Sequence, residues 1–268
     1  MVDGNGVRQG LGKRGAALLS MLSATAEEVF TISEAKSLPN TKDKELRDLL
    51  YHLAANKWIE RIERGKYLLL PLEAGAKARY GTHPFIIARK LVNPYYVGFA
   101  SALNYYGITE QPARTTYLAT TKSKKPLAFH NQEFRFVFFK PKRFFGYSEE
   151  WMGNLKFNIS EKEKTIVDCL FLPKYGGGIT EVAKAFKEKI DYGKLYDYAI
   201  RMDRLAVVKR LGYLLETLEL SPRIVEKLSG KVEGGYCLLD ASGARSGEKN
   251  NKWRVIDNVG KRELRLEP

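Results

Sequence analysis

Residues 30–70 decide the fold of the N-terminal part of the chain, and they read FTISEAKSLPNTKDKELRDLLYHLAANKWIERIERGKYLLL. The first three residues, Phe-Thr-Ile, predict a short extended run. Residues 33–38 predict a short helix that Pro39 ends, because proline cannot donate a helical backbone hydrogen bond. A second helix after so short a break is typical of a helix-turn-helix.

The second helix of this pair has one apolar and one polar face. Asn40 or Thr41 is placed to cap it, and it extends to about Asn56. Leucines recur at intervals of three and four residues, which puts them on one side of the helix: Leu46, Leu49, Leu50 and Leu53. A recognition helix turns its other side toward the major groove, so we predict DNA contacts from Thr41, Lys42, Lys44, Arg47 and Tyr51.

A β-hairpin with a basic tip follows the two helices. Residues 59–62 and 66–70 predict its strands, and a turn at residues 63–65 contains the glycine that such a tip needs. A hairpin in this place is the wing of a winged helix-turn-helix, and we assign phosphate contacts to Arg64 and Lys66. A small helical packing module that binds no nucleic acid is the alternative interpretation of the pattern.

The composition is that of a globular protein with more than one domain. The chain has 268 residues, of which 44% are apolar, enough for two separate cores. It has no run of about 18 apolar residues and no signal-peptide pattern at the N-terminus, so we expect a cytoplasmic protein without a membrane partner. Cys169 and Cys237 predict two buried reduced thiols rather than a disulfide framework or a metal site.

Positive charge is concentrated in the middle of the chain. The net charge is +14, and residues 81–145 hold ten basic and two acidic side chains, a net charge of +8. Two basic clusters lie there beside predicted strands, and we assign them to DNA phosphates: Lys122, Lys124 and Lys125, then Lys140, Lys142 and Arg143. An acidic protein partner would fit the same charge.

The sequence predicts two domains and the α+β fold class. Residues 1–75 form the winged helix-turn-helix domain, and residues 83–268 form a mixed α/β domain after a small-residue linker. In the second domain we predict helices over residues 84–91, 97–106, 179–190, 191–202 and 204–218. We predict strands over residues 114–120, 133–139, 236–240 and 253–259. Ser160 and Glu163 have the spacing of a capping box that opens another helix, through Leu172.

Signals for catalysis are weak. His130 and Asp168 are the two side chains that an enzyme could use, but neither has a partner at a spacing that indicates catalysis or metal binding. A half-buried carboxylate such as Asp168 is more often part of a salt bridge than a catalytic group. We therefore expect no enzymatic activity, no catalytic residue, no metal and no cofactor.

Five segments of the chain occur in an order that matches a known family. They are residues 95–103 (YYVGFASAL), 106–111 (YGITEQ), 134–137 (FRFV), 160–168 (SEKEKTIVD) and 210–216 (RLGYLLE). Together with the winged helix, which ends in RGKY at residues 64–67, they resemble the AbiEi-type antitoxins over roughly residues 13–260. The resemblance implies a transcriptional repressor of its own toxin–antitoxin operon. It also implies a second domain that counters a nucleotidyltransferase-like toxin.

The residues and the resemblance together predict a DNA-binding regulator, an antitoxin that represses its own operon. Its expected partners are duplex DNA, with an operator of inverted repeats, and the toxin. Two other classes of function stay open. One is an RNA- or toxin-binding module that does not recognise DNA sequence, and the other is a nucleic-acid-processing enzyme.

Overall fold

The computed structural model describes residues 8, 10–37, 42–75, 80–110 and 114–265. The chain divides into two compact units. The first comprises Met1–Asn93 and Glu150–Phe157, and the second comprises Pro94–Glu149 and Asn158–Pro268. Within the described ranges no helix has both the length and the apolar character needed to cross a membrane.

The first unit combines four helices with a three-stranded antiparallel sheet. In chain order its elements are α1 (Gly12–Ala24), β1 (Val29–Thr31), α2 (Ile32–Ala35), α3 (Asp43–Ala55), β2 (Ile59–Glu63), β3 (Lys66–Leu69) and α4 (Pro84–Leu91). A 3-10 turn, Leu72–Ala74, follows β3. The strands lie in the order β1-β3-β2, with β3 antiparallel to both neighbours.

A small leucine-rich core holds these elements together. Leu18 and Leu22 of α1 meet the buried leucines of α3, and Phe30 of β1 joins them. The ring of Phe30 stacks on Tyr67 of β3 at 5.5 Å between centroids. Burial of one helical face drives the packing, since each fully buried leucine contributes about 1.5–3 kcal/mol relative to an exposed one.

Helix α4 belongs to the first unit, although the sequence analysis began the second domain at residue 83. Arg89 pairs with Glu27 at 3.0 Å, and Lys90 contacts both Glu27 and Glu34. These ion pairs tie α4 to residues ahead of β1 and within α2. The second unit accordingly begins at Pro94.

The second unit contains the remaining helices and strands. Its strands are β4 (Tyr95–Val97), β5 (Thr115–Thr120), β6 (Leu127–Phe129), β7 (Gln132–Phe138), β8 (Tyr147–Met152), β9 (Leu155–Ser160), β10 (Cys237–Leu238), β11 (Glu248–Asn250) and β12 (Val255–Asp257). Its helices are α5 (Phe99–Tyr105), α6 (Lys162–Phe171), α7 (Pro173–Gly176), α8 (Ile179–Lys184), α9 (Tyr192–Arg201), α10 (Leu205–Thr217), α11 (Pro222–Ser229) and α12 (Lys261–Arg265). Parts of β8 and β9, residues 150–157, group with the first unit.

Two mixed sheets organise these strands. The larger has the order β6-β7-β5-β4-β9-β8, and the smaller has the order β10-β12-β11. Strands β5 and β7 run parallel, with Thr120 opposite Phe138, whereas β4 runs antiparallel to β5. Tyr96, Ala119 and Val137 share a row across β4, β5 and β7 and join the helical core. The chain is therefore of the predicted α+β class.

One helix of the second domain starts later than predicted, and one predicted cap is wrong. The helix predicted over residues 97–106 is α5, Phe99–Tyr105, and the residues before it, Tyr95–Val97, form a buried strand. Ser160 does not cap α6. It ends β9, where its hydroxyl contacts the Val97 carbonyl and the Thr165 hydroxyl, while Glu163 accepts a hydrogen bond from the backbone N–H of Asp191.

Both cysteines are reduced, but only one is fully buried. Cys169 is buried in the core of the second unit, whereas Cys237 is half-buried. Burial raises the pKa of the Cys169 thiol well above its ordinary value, so this side chain is an apolar packing group at neutral pH.

Candidate nucleic-acid interface

Helix α3 separates its side chains into two faces, as the leucine spacing predicts. Leu46, Leu50 and Leu53 are buried. On the opposite side Lys44 and Arg47 are exposed, and Tyr51 is 73% exposed. A helix of 13 residues, about 20 Å long, that is held only along its leucine face leaves this polar face accessible to a groove.

The acidic residues at the start of α3 are neutralised by other elements. Lys36 pairs with Asp43 at 3.0 Å, and Arg14 of α1 pairs with Glu45 at 2.8 Å. Among the described residues, Lys44 and Arg47 have no ion-pair or hydrogen-bond partner through their side chains. The exposed face therefore keeps two uncommitted cations within a helix of mixed charge.

Asp48 also lies on the exposed face, one turn after Lys44. The sequence analysis did not include it, although the helical period that selected Lys44 selects it too. A carboxylate repels phosphates but can accept a hydrogen bond from the amino group of cytosine. A face with both donors and an acceptor suits the reading of base edges better than general attraction to phosphate.

Of the residues predicted to precede α3, the structure describes Lys42 but not Pro39, Asn40 or Thr41. Lys42 is exposed and precedes the helix in an extended conformation, without a side-chain cap. Thr41, predicted as a DNA contact, and the proposed cap and stop residues Pro39 and Asn40 lie outside the described residues. Lys42 thus continues the exposed basic face at the N-terminal end of α3.

The short helix α2 is fixed by a capping box. The Thr31 hydroxyl accepts from the Glu34 N–H at 3.2 Å, and Glu34 accepts from the Thr31 N–H at 2.7 Å. Burial raises the pKa of Glu34, but the hydrogen bonds from Lys90 and Thr31 outweigh it and the pKa of this carboxyl is lowered. At neutral pH Glu34 is therefore charged and anchors α2.

At the hairpin two arginines are exposed, whereas the lysine is bonded to other residues. Arg64 at the turn and Arg61 on β2 are exposed. Gly65 has a φ of +77°, which favours glycine, and its carbonyl accepts from the Ile32 N–H at 2.9 Å. Lys66 is less available, because its ammonium pairs with Glu63 at 2.8 Å and donates to the Leu91 carbonyl at 2.6 Å. Arg61 is thus the second exposed cation of the hairpin, with its Nε donating to the Glu63 carbonyl at 3.4 Å.

The two basic clusters of the second unit also contain both free and committed cations. Lys122, Lys125 and Lys140 are exposed. The ammonium of Lys124 lies 4.8 Å from the centroid of the Phe136 ring. The other two members of the clusters, Lys142 and Arg143, bind groups at the end of α9.

Arg143 was predicted to contact phosphates, but it is buried, with 8% of its surface exposed. Its guanidinium donates to the carbonyls of Met202 at 2.7 Å and Asp203 at 3.0 Å, at the end of α9. Neighbouring Lys142 pairs with the Asp203 carboxylate. Arg143 is a structural group and is removed from the interface, because a charge cap at a helix C-terminus cannot also meet DNA.

Asp168, one of the two side chains considered for catalysis, lies inside a fully buried polar cluster. The Tyr96 hydroxyl donates to its carboxylate at 2.8 Å, and the Lys164 ammonium contacts both groups. Burial raises the pKa of Asp168 and lowers that of Lys164, and the contact between the two groups opposes both shifts. With no exposed surface on Asp168 or Lys164, the arrangement is that of a structural ion pair.

His130, the other side chain considered for catalysis, is exposed at the turn between β6 and β7. It has a φ of +52°, and its ring stacks on Phe129 at 4.1 Å between centroids. Among the described residues no group of three or more His, Cys, Asp or Glu side chains is placed to hold a metal ion.

Several described residues of the segments that resemble the AbiEi-type family lie in the core of the second unit. Tyr96 and Asp168 form the buried cluster, and Arg210 is buried with its guanidinium donating to the carbonyls of Leu170 and Leu238. Gly212 lies against the ring of Trp253. These buried residues of the motifs contribute to the packing of the unit.

Comparison with known proteins gives a fold likeness alone. No protein-family model and no curated protein matches the chain. Among solved structures, the crystal structure of the RV2827C protein from Mycobacterium tuberculosis is similar, with a TM-score of 0.64 and 13% sequence identity. The match covers 99% of this chain and 98% of that chain. At this identity the likeness shows a shared fold over both lengths.

Proposed function

We propose that this protein is a DNA-binding regulator and that α1–α3 with the β1-β3-β2 sheet form a winged helix-turn-helix. The observation that carries the proposal is the exposed face of α3, where Lys44, Arg47 and Tyr51 lie opposite the buried leucines. Carboxylates at the start of the helix are already paired, so these cations remain available to DNA.

The contacts divide by chemistry. Lys44, Arg47 and Asp48 offer donors and an acceptor on one helical face and read base edges in the major groove. Arg61 and Arg64 belong to the wing and bind phosphates, which fixes register without reading sequence. Such a division predicts both sequence preference and a strong salt dependence.

The proposal is tested with the full chain and a 30-base-pair duplex that the wild-type protein selects from a randomised pool. Lys44→Ala/Arg47→Ala should weaken binding by about 2–6 kcal/mol, since each of the two lost base contacts costs about 1–3 kcal/mol. Both positions are exposed in a helix, where alanine is well tolerated, so the variant should melt like the wild type. Fluorescence anisotropy at several salt concentrations gives the affinity.

A charge-matched variant separates local from general electrostatics. Lys187 and Lys189 are exposed in the second unit, and replacing both by alanine removes the same two charges. This control should bind the duplex as the wild type does. Equal affinity in the Lys44→Ala/Arg47→Ala variant and this control would refute the assignment of α3.

The wider role rests on the family resemblance. We propose a cytoplasmic antitoxin without enzymatic activity that represses its own operon and opposes a nucleotidyltransferase-like toxin. Support comes from the five segments that resemble AbiEi-type antitoxins, all of them in the second unit. Co-expression with the neighbouring gene tests it: the full chain should rescue growth from the product of that gene, and continued lethality would contradict the antitoxin role.

A further inference from the structure

The two basic loops of the second unit meet at one edge of the larger sheet. Strands β5 and β7 are parallel, and Thr120 pairs with Phe138 at the last position of both. Because parallel strands end on the same side, residues 121–126 and 139–143 leave the sheet together. The two loops are separate in the sequence, but the strand register places their starting points next to each other.

The first of these loops crosses the face of β7. Strand β6 lies on the far side of β7 from β5, so residues 121–126 must pass over β7 to connect β5 with β6. Lys124 above the Phe136 ring marks the crossing. Phe138 follows two residues later on the same face of the strand.

An exposed aromatic side chain lies at the end of β7, where both lysine-containing loops leave the sheet. Phe138 is 54% exposed, although the residues on either side of it, Val137 and Phe139, are buried. Lys140 comes two residues after it, and Lys122 comes two residues after its strand partner Thr120. This set of Lys122, Lys125, Phe138 and Lys140 is called the basic edge below.

Carboxylates are scarce in the sequence that contains the basic edge. Between residues 114 and 147 the sequence has one acidic residue, Glu133. It lies near the opposite end of β7, opposite Thr115 in the register, and pairs with Arg135 at 3.0 Å. Lys122, Lys125 and Lys140 form no side-chain ion pair with any described residue.

We propose that the basic edge binds single-stranded nucleic acid, with a base stacked on Phe138 and phosphates held by the three lysines. A duplex offers phosphates but conceals the faces of its bases, so an exposed phenyl ring adds nothing to duplex binding. In a single strand each base has a free face, and stacking on an aromatic side chain is tolerant of sequence. The site is separate from α3 and goes beyond the duplex binding proposed above.

The test uses the full chain and a fluorescein-labelled dT12 oligonucleotide, with anisotropy as the readout. Phe138→Ala should weaken binding on the order of tenfold, as loss of one stacked base does. Phe138→Tyr keeps the aromatic face and should bind within about twofold of the wild type. Phe138 is largely exposed, so both variants should fold, and their melting curves serve as the check.

The lysines are tested by salt dependence. Lys122→Ala/Lys125→Ala should lower the slope of log affinity against log salt by about 1.4, since each phosphate contact to a single strand contributes about 0.7. Lys187→Ala/Lys189→Ala, which removes two charges elsewhere, should leave the slope unchanged. Lys44→Ala/Arg47→Ala should also leave dT12 binding unchanged, which separates this proposal from the role of α3.

Three results would overturn the proposal. Equal dT12 binding by Phe138→Ala and the wild type would show that no base stacks there. A lysine variant that loses affinity for duplex but not for dT12 would return these lysines to duplex phosphates. Binding of an acidic peptide such as poly-glutamate together with no binding of dT12 would identify the edge as a protein-docking surface.

Discussion

Replacing Gly212 by alanine should severely destabilise the second unit. A Cβ at this position of α10 would lie 1.9 Å from Cζ3 of Trp253 and 2.3 Å from Cη2. The indole is fully buried, and it is held by hydrogen bonds from its ring N–H to Glu216 at 2.7 Å and from its backbone N–H to Asn250 at 2.9 Å. The ring would have to withdraw by about 1.5 Å to reach an ordinary contact distance of about 3.5 Å.

The expected loss in the free energy of unfolding combines the gain in helix propensity with the cost of overpacking. Exchange of glycine for alanine favours a helix by about 1 kcal/mol. Overpacking of a closed core typically costs about 1–3 kcal/mol, and here it comes with displacement of an anchored indole. Loss of the two hydrogen bonds that anchor Trp253 adds about 1–3 kcal/mol. After subtraction of the gain in helix propensity, the net loss is about 1–5 kcal/mol, and we expect a value of about 3 kcal/mol. For a unit of this size the melting temperature should fall by about 6–12 °C.

Urea unfolding followed by far-ultraviolet circular dichroism measures this loss. Gly235→Ala is the control, because a Cβ at Gly235 meets nothing within 4 Å, and its stability should stay within about 0.5 kcal/mol of the wild type. Trp253→Leu should partly rescue Gly212→Ala, since it removes the clashing ring. A Gly212→Ala protein as stable as the Gly235→Ala control would refute the packing described for α10.

Two further perturbations address buried and half-buried charges. Asp168→Leu leaves the Lys164 ammonium without its carboxylate and should lower the free energy of unfolding by about 3–5 kcal/mol. In urea unfolding, the double variant Lys164→Met/Asp168→Leu should be more stable than Asp168→Leu alone. A double variant that is equally unstable would contradict the ion pair. Burial raises the pKa of Glu216, but hydrogen bonds from Lys252 and Trp253 outweigh it and the pKa is lowered. A carboxyl whose pKa is lowered on folding stabilises the protein above its unfolded pKa of about 4.5, and this stabilisation is lost as the pH falls. Glu216→Gln should therefore lose less stability than the wild type between about pH 5 and pH 3. Equal losses in the two proteins would exclude this linkage.

Local signals in the sequence predicted the first unit well. The leucine period identified the buried side of α3, and the glycine in the turn identified the hairpin tip. In the second unit α9 begins at Tyr192, one residue after the predicted start, because the carboxylate of Asp191 caps it by accepting from the Lys194 N–H at 3.0 Å. Each of these features depends on residues within a few positions of one another, so a single segment carries the information.

Features that depend on distant partners were missed. Residues 95–97 form a strand because they pair with β5 and Val97 also pairs with Ile159, and the predicted start of the helix at residue 97 did not anticipate these contacts. The two strands after Gly146 were missed too, because β8 is an edge strand whose side chains alternate only between half-buried and exposed. Pairing partners far apart in sequence fix these elements, and no local period reveals them.

The candidate interface shows the same limit. The exposure of Lys44 and Arg47 follows from the helical period. The burial of Arg143, by contrast, depends on hydrogen bonds to carbonyls about 60 residues away in the sequence. A run of basic residues looks the same in sequence whether it meets solvent or caps a helix. The exposure of Phe138 likewise arises from the strand order and the crossing loop, not from its neighbours in the chain.

The central claim, that α3 reads base sequence, is tested most directly by the specificity profile of Arg47→Ala. The affinity of the full chain is measured for the selected duplex and for every single base-pair variant of it, with wild type and Arg47→Ala side by side. The account predicts that Arg47→Ala loses discrimination of about 1–3 kcal/mol at one base-pair position and keeps it at the others. A uniform loss of affinity across all duplexes, or an unchanged profile, would contradict base reading by this helix.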